Sequence, residues 1–254
     1  AWKGGIRITA IDDYYIRSWS LEQLVRQVAA SPFLHRHEWI WSIAIGGISA
    51  LLATLIGTGF AWSLRHREWP RNLAFVLLVI GFVLPGPVVG IWLIHCFNQP
   101  ANSPLSLLTW CYDNTVLVPV LAHIIRVLPL VTLLLWTRMA ALPQELLDSS
   151  TCEGARWCRQ FVWGVLPQCW RAVLAASGVA FIVSIGELAT TILVVPPGVS
   201  TLSVRIFGLL HYGAEDRVAA LCLAFWLFVF LLTAFIIPLL QLRHGRHGSS
   251  RAMR

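Results

Sequence analysis

The stretch Leu147-Asp148-Ser149-Ser150-Thr151-Cys152-Glu153-Gly154 continues through Ala155 to Val165 and closes on Leu166-Pro167. After residue 39 it is the longest interval without a membrane-grade apolar segment, and the sequence on either side is built to sit in lipid. Asp148, Glu153, Arg156 and Arg159 alternate in charge, with one glycine in the middle and one proline at the exit. That pattern predicts a short amphipathic helix, a turn, and a second helix leading back to the membrane.

Working outward, composition says the same. The chain is 57% hydrophobic and 12% charged, with a mean hydropathy of +0.70, against an ordinary charged share of about 25%. Thirteen Trp suit the lipid–water boundary. The net charge of +7 does not point to nucleic acid, because the basic residues fall between apolar runs and act as topology signals. The only lysine is Lys3, which precedes Gly4-Gly5. A phosphate-binding loop, which needs Gly-Lys-Ser/Thr after its glycines, is therefore excluded, as is an intramembrane lysine Schiff base. Six Cys at 96, 111, 152, 158, 169 and 222 show neither a CxxC pair nor zinc spacing, so no metal site is expected. They read as scattered small hydrophobes, with an outer-face Cys96–Cys111 disulfide as the alternative.

Five apolar runs, near 39–64, 73–97, 115–136, 172–195 and 218–242, each approach the roughly 20 residues needed to cross a bilayer as a helix. Arg65, Arg67, Arg71, Arg138, Arg156, Arg159, Arg171 and the four arginines of the tail fall on one side. The positive-inside rule then sets the N-terminus outside and the C-terminus inside. Residues 1–38 become an outer-face segment with a short amphipathic helix starting at Ser20. Residues 39–242 are the transmembrane domain, with a cytoplasmic loop at about 139–171, and 243–254 are a basic tail near anionic lipid. No cleavable signal peptide is read before the first apolar run, and the start at Ala1 suggests part of a longer protein.

Two features interrupt the spans. Pro85-Gly86-Pro87 must bend the second, either as a packing kink or as a bend lining a path. Arg126 and Glu187 are the deepest ionisable residues, about 16 and 12 Å from the outer ends at 1.5 Å per residue. They form either a structural pair or part of a pathway.

The loop resembles the cytoplasmic signature of ABC-type importer permeases: Glu-Ala-Ala, three residues, Gly, nine residues, Ile, one residue, Leu-Pro. With the glycine on Gly154, Leu-Pro falls on Leu166-Pro167, Glu-Ala-Ala on Asp148-Ser149-Ser150, and Ile on Gly164. The last two are departures: Asp keeps the charge and Ser the small size, whereas Gly164 loses an apolar contact. Gly186-Glu187-Leu188-Ala189-Thr190, Pro196-Pro197-Gly198, Thr201 to Ile206 and His211-Tyr212-Gly213 are most similar to the ferric iron branch.

The resemblance implies an all-α, polytopic, type I ABC importer permease-like bundle of five transmembrane helices in a bacterial inner membrane. It implies a second, C-terminal permease unit whose partner unit is fused or separate. Glu145, Asp148, Ser149, Ser150, Glu153, Gly154, Leu166 and Pro167 would couple to a cytoplasmic ABC ATPase dimer that holds ATP-Mg. Pro85, Gly86, Pro87, Arg126 and Glu187 would line the path or pair within it, and a periplasmic substrate-binding protein would deliver the solute. Neither catalytic residues nor a cofactor are expected in this chain. Sulfate or molybdate, thiamine and polyamine are alternative solutes.

An intramembrane hydrolase is disfavoured because His37-Glu38 is followed by Trp41 where a zinc protease needs His, and no nucleophile elbow surrounds Ser184. A channel is disfavoured by the absence of a Thr-Val-Gly-Tyr-Gly filter.

Overall fold

A backbone in hydrocarbon must pair its own N–H and C=O groups, so the apolar runs fold as helices. The structure, a computed structural model, describes residues 6–11, 14–66, 71–100 and 105–241, with side chains over 20–65, 72–100 and 105–238. The tail at 243–254 lies outside the described residues. Among the described residues four helices are long and apolar enough to span a membrane: Arg36–Arg65, Leu117–Ala140, Trp157–Gly186 and Glu215–Pro238. The apolar pair Asn72–Val83 and Gly86–Phe97, bent by 97°, brings the number to five if it is taken as one broken span.

The chain divides into two compact units, one of residues up to Ala44 and from Gly198, the other Ile45–Pro197. In the first, strands β1 (Ile6–Ile11) and β2 (Tyr14–Trp19) form an antiparallel hairpin pairing Ile6 with Trp19 and Ile11 with Tyr14. The sequence reading did not expect strands there, although both runs are rich in Ile, Thr and Tyr, which suit them. Helix α1 (Leu21–Leu34) starts at Ser20, whose hydroxyl accepts from the Gln23 N–H at 3.4 Å. Helices α11 (Leu202–His211) and α12 (Glu215–Gln241) complete the unit with the start of α2 (Arg36–His66). Trp39, Leu202, Leu209, Leu221 and Ala224 form its core, and the Trp39 ring meets Phe228 edge-on at 5.2 Å. The Ser42 hydroxyl accepts from the Leu202 N–H at 2.7 Å, satisfying a donor that the first turn of α11 leaves open.

The second unit holds the rest of α2, then α3 (Arg71–Val83), α4 (Gly86–Phe97), α5 (Ser106–Asn114), α6 (Leu117–Ala140), α7 (Gln144–Cys152), α8 (Trp157–Arg159), α9 (Leu166–Gly186) and α10 (Thr191–Val194). Gly46 and Gly57 let α2 lie close to its neighbours: a Cβ would come 2.9 Å from Ile185 at the first and 2.9 Å from Val131 at the second.

Two sequence expectations shift here. The span expected at 172–195 instead starts at Trp157, because α8, a π-helical turn at Gln160–Val165 and α9 run on as one helix of 30 residues. Pro167 explains the wide turn: it lacks an N–H, and its ring would collide with the carbonyl four residues back. The same span ends at Gly186, so Glu187 caps the helix rather than lying within it. Cys96 and Cys111 are both free thiols.

Candidate functional site: a broken span and an exposed loop helix

The broken crossing sets the first group of residues. Leu84 closes α3 with its N–H on Ile80 O at 2.9 Å, and Pro85, with φ −62° and ψ 138°, caps α4. The freed Leu84 carbonyl accepts from Nη1 of Arg126, which projects from α6. Arg126 Nε also lies 3.5 Å from Glu187 Oε2, with the two side chains 24% and 12% exposed. The other Glu187 oxygen accepts from the Thr190 N–H at 3.2 Å. One guanidinium therefore ties the α3–α4 break to the segment after α9.

A second tie was not legible in the sequence. The Thr191 hydroxyl donates to the Glu187 carbonyl at 2.7 Å and lies 2.8 Å from His123 Nε2. Thr191 has one proton to give, so His123 donates through Nε2, leaving Nδ1 as the acceptor. His123 Nδ1, Ser184 Oγ and Thr190 Oγ1 are buried without a hydrogen-bond partner among the described residues. A histidine or serine in an apolar helix carries no sequence signal for such a contact.

Gly86 and Gly90 allow this close approach. A Cβ at Gly86 would sit 2.8 Å from Ala189 Cβ and 3.1 Å from Glu187 Oε1, and one at Gly90 2.8 Å from Leu193. Below them Val89, Leu93, Val118, Ala122 and Val194 form a buried cluster. Gly86→Val should therefore lower stability by about 1–3 kcal/mol through overpacking, read as a lower Tm of the detergent-solubilised protein. Gly59→Ala, inside α2 and facing open space, should not lower it and should raise it by up to about 1 kcal/mol.

The second group is the loop helix. Pro143 caps α7, and Glu145 lies in its first turn, where a carboxylate meets the positive helix end. The helix begins at Gln144, four residues before Asp148. At its end the Ala155 N–H reaches Ser150 O at 3.0 Å and the Gly154 N–H reaches Thr151 O at 2.9 Å, a Schellman closure. It requires the positive φ of 75° that Gly154 adopts, a conformation costly for residues with a Cβ.

Leu147 is buried and Ser150 half-buried, while Glu145, Asp148, Ser149 and Glu153 are exposed. Gln160, also buried, donates to the Thr151 hydroxyl at 2.9 Å and so pins α7 to the π-helical turn. Trp62 packs on Phe161 and Trp157 at 5.7 and 6.0 Å. Arg65, at the end of α2, donates to the Met139 and Leu142 carbonyls, the latter at 2.8 Å, neutralising the negative end of α6.

Leu166 is half-buried and Pro167 exposed, both inside the long helix rather than at a loop exit. The structure thus gathers Glu145, Asp148, Ser149 and Glu153 on one short helix, and Arg126 and Glu187 at the broken span.

Among the described residues the chain is thus a helical protein with four apolar helices long enough to span a membrane, one bent helix pair and a short polar loop helix. Residues 51–242 match the family described as the binding-protein-dependent transport system inner membrane component, and the chain belongs to that family. It is accordingly a multi-pass protein of the bacterial inner membrane and an ABC importer permease subunit rather than the catalytic one.

PhnV of Salmonella paratyphi A, assigned as a 2-aminoethylphosphonate transport system permease, is 26% identical over 74% of this chain and 69% of its own. The putrescine transport system permease protein PotI of Escherichia coli K12 is 24% identical over 71% of this chain and 63% of its own. The fold is also that of a chain of the MetNI methionine ABC transporter, with TM-score 0.67 and 13% identity over 87% of this chain and 98% of that one. The curated relatives serve a phosphonate and a polyamine, so the ferric iron expectation gains no support from them.

Proposed function

We propose that this chain carries a small, amine-bearing organic solute across the membrane, driven by a separate cytoplasmic ATPase dimer that docks on α7. The observation that carries the docking reading is α7 itself. It is held from below by Leu147, Gln160 and the Gly154 closure, and it turns Glu145, Asp148 and Ser149 outward. A helix braced on one face and polar on the other transmits a push instead of absorbing it. The loop then lies in the cytoplasm and the N-terminus outside. A periplasmic binding protein supplies solute at the outer face, a second permease unit completes the pathway, and ATP-Mg binds in the partner ATPase.

The solute class follows the two relatives, whose named solutes, 2-aminoethylphosphonate and putrescine, both carry a primary amine. Arg126 beside Glu187 offers one cation and one anion. This favours the zwitterion, its phosphonate on the guanidinium and its ammonium on the carboxylate. Uptake of radiolabelled 2-aminoethylphosphonate, putrescine, ferric iron, sulfate and thiamine into cells expressing the complete system distinguishes the solutes. Accumulation of 2-aminoethylphosphonate, blocked by excess unlabelled compound, is expected; accumulation of iron or sulfate alone would overturn the solute reading.

A further inference from the structure

In the unit built from the chain's two ends, Gln27, Ala30, Ser31 and Leu34 of α1 and His35 line a half-open cavity of about 150 Å³ with Arg217 and Ala220 of α12. The polar atoms around it are unusual for so small a space. Ser31 is only 4% exposed, and its hydroxyl has no partner among the described residues; the buried Gln27 Oε1 has none either. Leaving such groups unpaired is unfavourable, so a ligand that engages them is favoured.

The charges decide which ligand. Glu38 Oε1 lies 3.4 Å from Arg205 Nε and 3.8 Å from His35 Nδ1, so Glu38 and Arg205 offset each other. Arg217 is left as the net charge on the cavity. Burial holds the His35 imidazole below its ordinary pKa; Glu38 opposes that drop, and Arg205 and Arg217 reinforce it. The His35 Nδ1 faces Glu38, and the ring forms part of the cavity wall. Glu215 and Asp216 precede Arg217 but do not line the cavity, since residues one and two apart on a helix do not share a face. The surroundings are thus a guanidinium, a hydroxyl, an imidazole and a primary amide whose two ends interchange by a half-turn.

Depth narrows the ligand further. His35 directly precedes the span Arg36–Arg65, and Arg217 lies in the first turn of the span Glu215–Pro238. The cavity therefore sits where spans begin, at headgroup depth. Leu34 on its rim is 70% exposed and the adjacent Phe33 82%, an apolar shoulder suited to an acyl chain.

We propose that Gln27, Ser31, His35 and Arg217 form a binding site for one phosphate-type oxyanion at the membrane boundary. Arg217 supplies a forked contact and Ser31 a hydroxyl donor. The site is independent of the transported solute and of α7.

Native mass spectrometry of the purified, delipidated full chain tests it, with phosphatidylglycerol, diacylglycerol of the same chains, and inorganic phosphate as probes. Native protein should hold one phosphatidylglycerol tightly and diacylglycerol weakly. Arg217→Gln should weaken the first about tenfold, the worth of one charged contact, and leave the second unchanged; Arg217→Lys should restore part of the loss. Ala220→Leu, which fills the cavity without touching a polar group, should act like Arg217→Gln and decides the matter if that variant does not fold. Displacement by millimolar phosphate assigns the site to free anion, and its absence to the lipid headgroup. Equal binding of phosphatidylglycerol and diacylglycerol, or undiminished phosphatidylglycerol binding by both Arg217→Gln and Ala220→Leu, would overturn the proposal.

Discussion

Asp148→Lys combined with Gly154→Trp is expected to abolish co-purification of the partner ATPase and to bring ATP-driven uptake to background, while membrane insertion stays intact. The first change reverses the charge on the exposed face of α7. The second places a bulky side chain at a φ of 75°, which costs about 1–2 kcal/mol outside glycine and breaks the closure made by Ala155 and Ser150. Neither side chain lies in the protein interior: Asp148 is exposed, and a Cβ on Gly154 meets nothing within 4 Å. The fold should therefore survive, as the unchanged yield of membrane-inserted protein would show. An ATPase that still co-purifies with transport intact would mean that α7 is not the docking helix.

The second large effect belongs to Arg126 and Glu187. Arg126→Leu leaves a carboxylate at the broken span, and Glu187→Leu leaves a guanidinium. Removing one partner of a fully buried pair costs about 3–5 kcal/mol; these side chains are 24% and 12% exposed, so a loss of about 1–3 kcal/mol is expected, above the roughly 0.5 kcal/mol of an ordinary surface change. Both single variants should show a clearly lowered Tm in detergent. The exchange Arg126→Glu with Glu187→Arg should recover part of the loss, because the attraction returns. Recovery should be incomplete, since the Leu84 carbonyl loses its donor and the Thr190 N–H its acceptor. Single variants as stable as the native chain would show that the 3.5 Å approach contributes nothing to the fold.

The sequence showed the spans because apolar length is a one-dimensional property that needs no tertiary context. It showed the bend at Pro85-Gly86-Pro87 for the same reason: a proline's missing donor is local. Other features depend on what a residue meets across the fold. Glu187 read as an intramembrane charge because residues 172–195 form an unbroken apolar run apart from it. The helix in fact stops at Gly186, where the following segment turns across Gly86 and Gly90. The start at Trp157 was hidden by the polar residues before Ala172, which a membrane pattern assigns to a loop. His123 on Thr191, Arg65 on the end of α6 and Gln160 on Thr151 join residues 68, 74 and 9 apart, and no local pattern announces such pairs. Both runs of the β1–β2 hairpin carried strand-forming residues, but the helix start at Ser20 dominated the reading of that segment.

On the proposed function the chain moves solute only when another protein hydrolyses ATP, and reconstitution tests that most directly. The full permease, its ATPase and its binding protein are placed in proteoliposomes, and uptake of labelled 2-aminoethylphosphonate is followed with each component omitted in turn. Uptake that requires ATP, the ATPase and the binding protein together is the expected result. Solute flux through the permease alone, or uptake unaffected by removing the ATPase, would contradict it.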